Sequence, residues 1–277
     1  MATVNVLDLC CGAGMASMGL ASAGCEIIGG IDIWADAQAV VARSFDVLPE
    51  LVDYDDGDDV GARVDVVITG PPCQDDCLAN HGKDKGRGEI KRWALGCAQA
   101  YNPTWIVMEM VTREWIPWCE KNGATQIFKL TDSELGGYTQ RSRWFAIWGP
   151  TSLKIGRWKD GENGWGQALL IDDPKACLAT EANSKAKRWR RAKNPSEPAP
   201  AVVGGDRRHL LRLADGTEKR LGPREAAALS GFPMMQLDVQ LSERKLQTMI
   251  GNGWPKSFGF VIGQALLAST PIQTELF

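Results

Sequence analysis

Apolar residues in the first half of the chain come in short β-branched runs, separated by segments rich in small residues with helical spacing. Residues 4–10 (VNVLDLC) read as a strand, 14–24 (GMASMGLASAG) as a helix and 26–33 (EIIGGIDI) as a second strand. A second helix is expected over 35–45 (ADAQAVVARSF), whose apolar positions recur at helical spacing. After the acidic loop 53–59 (DYDDGDD) come a buried strand at 64–70 (VDVVITG), a helix at 92–101 (RWALGCAQAY), and strands at 104–111 (TWIVMEMV) and 143–149 (RWFAIWG). Strands that are apolar almost throughout are buried on both faces, so this alternation predicts a doubly wound, mostly parallel α/β sheet with helices on both sides.

Periodicity fails from about Pro150 to Leu221, where WKDGENGWGQ and KNPSEPAPAVVGGD carry glycine, proline and charge instead. A small loop-rich second region is expected there. Helical patterning returns in PREAAALSGF and in SFGFVIGQALLAS, which would pack back on the sheet. The predicted organisation is therefore 1–149 with 250–277 as one domain and 150–249 as a smaller one.

Composition changes little in this picture. At 277 residues the chain supports one large domain, or one with a small appendage. No apolar stretch approaches the roughly 20 residues of a membrane span, and the start MATVNVLDLC lacks the layout of a secretion signal, so a cytoplasmic protein with no membrane partner is expected. Eight cysteines without paired CxxC units predict reduced thiols and no metal site. Net charge is only −3, yet Ser184 to Arg224 holds twelve Lys or Arg against four Asp or Glu, a local excess of +8. Its core, KAKRWRRAK, sets Trp189 among six basic residues. Such a run is either a solvated face or the footprint of a nucleic-acid binder.

Candidate chemistry gathers where strands end, the place at which open α/β sheets bind ligands. The turn DLCCGAG carries Gly12 and Gly14, which let the backbone approach a ligand closely. Asp32 follows about 20 residues on, placed to accept hydrogen bonds from a ribose or simply to cap a helix. Asp59 is placed to accept from an adenine amino group. These three in order point to an adenosine cofactor, and the absence of a third glycine favours S-adenosylmethionine over NAD. Cys73 in GPPCQ is expected at or just beyond a strand's carboxyl end, where such sheets bind ligands.

Taken together, these residues resemble the DNA (cytosine-5) methyltransferases. The matches run in that family's order: DLCCGAG, GPPCQ, MEM, TQRSR, LGPREAAALSGFP and IGNGWP. The resemblance implies a Rossmann-like S-adenosylmethionine-dependent methyltransferase, expected as a monomer acting on double-stranded DNA. It also implies the part each residue plays. Cys73 would add to carbon 6 of a flipped-out cytosine, Glu109 would assist at ring nitrogen 3, and Arg141 and Arg143 would supply positive charge, Arg143 also holding the cytosine carbonyl. Cofactor contacts are implied for Asp8, Cys10, Gly12, Ala13, Gly14, Asp32, Ile33, Asp59, Pro72 and Asn252. Gln74 with Lys83, Lys85 and Arg87 of a glycine-rich loop would meet DNA, and so would Lys187, Arg188, Arg190, Arg191, Arg207 and Arg208 of the basic segment. That glycine-rich loop read without the resemblance is a solvated surface loop.

The sequence also departs from the family pattern. Cys10 stands where an aromatic is usual and Met15 where glycine is common. Asp76 and Cys77 follow the nucleophile motif, Met110 replaces an asparagine, and Tyr138 and Thr139 replace proline and glutamine. Three alternatives remain open at this point: a catalytically idle DNA-binding relative, an RNA cytosine methyltransferase, and a hydrolase pairing Cys73 with His81.

Overall fold

The computed structural model describes residues 3–43, 63–72, 88–156, 177–180, 199, 201–202, 209–212, 217–232 and 240–270. Among these, one sheet holds β1 (Asn5–Leu9), β2 (Glu26–Ile31), β3 (Val66–Thr69), β4 (Trp105–Met110), β5 (Gln126–Thr131) and β6 (Ser142–Trp148). The strand order is β2-β1-β3-β4-β6-β5. β1 to β4 pair in parallel, and β6 is antiparallel to both β4 and β5. The helices are α1 (Met15–Ala23), α2 (Ala35–Val41), α3 (Gly88–Ala100), α4 (Ile116–Lys121), α5 (Pro223–Leu229), α6 (Glu243–Asn252) and α7 (Lys256–Ser269).

The period of two along each strand divides the core between the two faces of the sheet. Val6, Val66, Ile68, Val107 and Phe145 point to one face, where α7 contributes Phe258, Ile262 and Leu266. Leu7, Val67, Ile106 and Met108 point to the other, against Ala94, Leu95 and Ala98 of α3. Each fully buried aliphatic or aromatic side chain of this kind is worth roughly 1.5–3 kcal/mol. α1 lies across α7 at very short range: a Cβ added at Gly19 would come within 2.8 Å of the Cα of Gly259. A third cluster joins Ala13 and Met15 to Ala37, Val40, Tyr138, Ala199, Val202, Ala226, Leu246, Met249 and Ile250.

Three features differ from the sequence-based expectation. β5 has no counterpart in it: this is the sheet's edge strand, half exposed, with Lys129 turned outward, so it carries no continuous apolar run. The region read as loop-rich contains a three-stranded antiparallel sheet, β7 (Cys177–Thr180), β8 (His209–Arg212) and β9 (Glu218–Arg220). The expected boundary between residues 249 and 250 falls inside α6, which is a single hydrogen-bonded unit. α5 and α6, both within 150–249, pack in the same cluster as Ala13 of the glycine turn. No helix among the described residues is long and apolar enough to cross a membrane.

Candidate functional site

A cavity of about 390 Å³ opens beyond the C-terminal ends of β1, β3 and β4, where a doubly wound sheet binds ligands. Its wall includes Glu109 and Arg143 of the catalytic candidates, and Asp8, Cys10, Gly12, Asp32, Ile33, Pro72 and Asn252 of the cofactor candidates. Ala13 and Gly14 have structural places next to it. Ala13 is buried in the third apolar cluster, and Gly14 is the N-cap of α1.

The turn after β1 requires unusual backbone. Gly12 (φ 53°) and Gly14 (φ 72°) are left-handed, which glycine adopts without a Cβ penalty. Cys10 is left-handed too (φ 60°), an uncommon state for a residue with a side chain. The turn closes through Gly14 N–H donating to the Cys11 carbonyl at 2.8 Å, and Cys11 N–H donating to the Ile31 carbonyl at 3.1 Å.

Asp32 combines a capping role with a place at the cavity. Its Oδ1 accepts from Trp34 N–H and its Oδ2 from Gly12 N–H, each at 2.8 Å, so it ties the start of α2 to the glycine turn while standing in the cavity wall. Burial raises its pKa, against those two N–H bonds. Asp8 is pushed up to about 7 by burial, opposed by the Ser17 hydroxyl at 2.6 Å and reinforced by the charge of Asp32. The same burial lifts the Cys10 thiol to about 12, with Asp32 and Asp8 adding to it, and drives Cys11, also in the wall, upward as well. Both thiols are therefore held protonated and make poor nucleophiles.

Glu109 and Arg143 meet because β4 and β6 pair antiparallel with Glu109 opposite Phe145, leaving Arg143 diagonal to it on the same face. Arg143 Nε lies 2.6 Å from Glu109 Oε1 in a largely buried ion pair. An acceptor beside a planar cation suits a ligand edge that carries adjacent nitrogen and carbonyl groups. Arg141, two residues earlier, does not join them. Its side chain is buried, and its guanidinium donates to the carbonyls of Val202, Gly251 and Asn252.

Asp59, Cys73, Gln74, Lys83, Lys85, Arg87, Lys187, Arg188, Arg190, Arg191, Arg207 and Arg208 lie outside the described residues. Pro72, immediately before Cys73, is in the cavity wall. Sequence reasoning does not single out Trp34, Val111, Thr248 or Trp254, which also line it. Trp34 has a signal, an aromatic two residues past the strand-end acid. Trp254 is held edge-on by Phe145, with ring centroids 4.9 Å apart, a contact that no local pattern announces.

Comparisons with known proteins bear on this geometry. Residues 4–115 match the family described as C-5 cytosine-specific DNA methylase. The type II methyltransferase M.HgiDI of Herpetosiphon aurantiacus is 30% identical over 302 residues, covering 96% of this chain and 94% of its own. M.HgiGI of the same organism, also a type II methyltransferase, is 28% identical over 116 residues, which are 40% of this chain and 92% of its own. Among solved structures, a protein described as a prophage-encoded DNA modification methyltransferase of E. coli aligns with a TM-score of 0.65 at 18% identity, over 96% of this chain and 99% of its own. The Dnmt2 methyltransferase of S. pombe aligns with a TM-score of 0.64 at 18% identity, over the same shares of the two chains. At that identity the structural likenesses speak to the fold.

Proposed function

Since the chain belongs to the C-5 cytosine-specific DNA methylase family, we propose that it methylates carbon 5 of cytosine in double-stranded DNA at a short specific sequence, through a covalent adduct of Cys73 with a flipped-out base. The fold is the expected Rossmann-like methyltransferase sheet, with β6 antiparallel to its neighbours. The observation that carries the reading is the Glu109–Arg143 ion pair, set in the same cavity wall as Pro72, the residue before Cys73.

The residues of the cavity fit S-adenosylmethionine. The glycine turn admits a close backbone approach, Asp32 has lone pairs beyond its two N–H bonds, and Trp34 offers an aromatic face. Ile33, 74% exposed in the cavity wall, is the kind of apolar side chain that a flat ring would cover. Bound there, the cofactor supplies an electrophilic methyl group.

The protein's own work is to make carbon 5 of cytosine reactive. Cys73 as thiolate adds to carbon 6 and pushes electrons into the ring; once carbon 5 carries the methyl group, a base takes the carbon 5 proton and elimination breaks the carbon–sulfur bond, which frees the Cys73 thiolate. Glu109 assists at nitrogen 3, and Arg143 donates to the neighbouring carbonyl while holding Glu109 in place. Neither Cys10 nor Cys11 competes as nucleophile, since burial keeps both protonated. A duplex hides carbon 6, so the base must leave the stack. The basic residues Lys187, Arg188, Arg190, Arg191, Arg207 and Arg208 are assigned to the DNA backbone and grooves, with Gln74, Lys83, Lys85 and Arg87 closing on the flipped nucleotide. The smaller region beginning at residue 150 is proposed to read the DNA target, and to end before α5, because α5 and α6 pack with the glycine turn.

The test is expression in a bacterium lacking cytosine-5 methylation, followed by a genome-wide map of 5-methylcytosine, with Cys73→Ala as control. Modification at one short recurring sequence, absent from the control, is expected. A blank map for the wild-type protein, or modification that survives Cys73→Ala, would overturn the reading.

A further inference from the structure

The family resemblance implies Arg141 beside the reacting base, but its guanidinium is occupied elsewhere. One terminal nitrogen donates to the Gly251 carbonyl at 2.7 Å and to the Val202 carbonyl at 3.1 Å, and the other donates to the Asn252 carbonyl at 3.1 Å. Gly251 and Asn252 end α6, where carbonyls have no partner within the helix and a cation is favoured. Asn252 and Gly253 then form part of the cavity wall. Val202 lies between β7 and β8 in the chain, so it belongs to the second region. Ala199 of the same stretch accepts from Gln140 N–H at 2.8 Å and donates to the Tyr138 carbonyl at 2.7 Å.

The loop that presents Arg141 is itself built on one buried acid. Asp132 Oδ2 accepts from Thr139 N–H at 2.8 Å and from its hydroxyl at 2.7 Å, and Oδ1 accepts from the Ser257 hydroxyl at 2.5 Å. Asp132 N–H donates to the Arg141 carbonyl at 2.8 Å. A Cβ on Gly137 would overlap the Asp132 carboxylate, so the loop packs tightly around it. Thr139, which replaces the family's glutamine, is thus the residue that locks the loop to Asp132.

We propose that Arg141 is a positioning residue for the cofactor cavity: its guanidinium clamps the end of α6 to the segment 199–202, and so makes cofactor affinity depend on how the second region is seated. The proposal rests on the reading of the cavity as an S-adenosylmethionine site. The segment from 139 to 143 then divides two tasks, Arg143 facing the reacting edge through Glu109 and Arg141 facing the end of α6.

The test uses the full chain as wild type, Arg141→Lys and the near-isosteric Thr139→Val. Affinity for S-adenosylhomocysteine is measured by calorimetry without DNA, and kcat and KM for S-adenosylmethionine are measured on genomic DNA free of 5-methylcytosine. Arg141→Lys keeps the charge but not the fork that reaches three carbonyls, so Kd and the cofactor KM are expected to rise about tenfold, more than kcat falls. Thr139→Val should shift Kd the same way by about threefold, and decides the matter if Arg141→Lys does not fold. A fall in kcat with Kd unchanged would overturn the proposal and return Arg141 to the reacting base, as would wild-type affinity in both variants. Wild-type protein that binds no S-adenosylhomocysteine would instead overturn the cofactor reading, and the proposal with it.

Discussion

Asp8 shows how one residue's setting reaches the behaviour of the whole protein. It is 2% exposed in β1, and burial holds its carboxyl pKa at about 7, against about 3.9 for an unfolded aspartate. Between those values the unfolded chain has released a proton that the folded chain still holds, so this group's contribution to stability falls as pH rises from about 4 to about 7 and stays low above that. Asp8→Asn removes the titration while leaving an oxygen to accept from the Ser17 hydroxyl. Urea unfolding followed against pH should show the variant gaining on the wild type through this window, by at least about 1 kcal/mol at pH 8. An equal gain at pH 4 would point to packing instead. Residue identity is legible in the sequence here, since Asp8, Glu109 and Arg143 stand in motifs and Asp32 ends the second strand-like run. Their partners are not, because Arg143 meets Glu109 only through the β4–β6 register, and Arg141 faces carbonyls over a hundred positions away in the chain.

Elements are legible in proportion to how well they are buried. β1, β3 and β4 are apolar nearly end to end because neither face meets water, and periodicity finds them readily. β5 at the sheet edge and the short β7 to β9 lack that run. α6 does carry a local signal: Ser242 caps it by accepting from Lys245 N–H, and Leu246, Met249 and Ile250 fall at helical spacing. The α1–α7 pair is invisible to periodicity, since its close approach depends on the missing side chains of Gly19 and Gly259. Gly19→Ala would place a Cβ 2.8 Å from the Cα of Gly259 and 3.1 Å from the Lys256 carbonyl oxygen, backbone atoms that cannot rotate away. The expected cost is about 1–3 kcal/mol, read as a lower urea midpoint with an unchanged slope. A rise in midpoint would mean that the helices separate easily.

For the whole molecule, the charge pattern matters more than its sum. A chain of net charge −3 has no general attraction for DNA, so binding must draw on a local surplus, and the segment from Ser184 to Arg224 is where the sequence puts it. Changing Lys187, Arg188, Arg190 and Arg191 to glutamine should make the salt dependence of DNA binding shallower, by up to about 0.9 in log–log slope for each phosphate no longer neutralised. An unaltered slope would assign the DNA surface to another part of the chain.

The sequence by itself determined the class of sheet, the order of its motifs and the residue types at the strand ends, because these follow from local periodicity and from chemistry carried within a few positions. Tertiary structure decided which of those residues face one another. Antiparallel β6 set Arg143 against Glu109, and the close of α6 drew Arg141 away to three main-chain carbonyls. The physical reason is that a side chain's partner depends on strand register and helix packing between distant segments, and no local pattern encodes either.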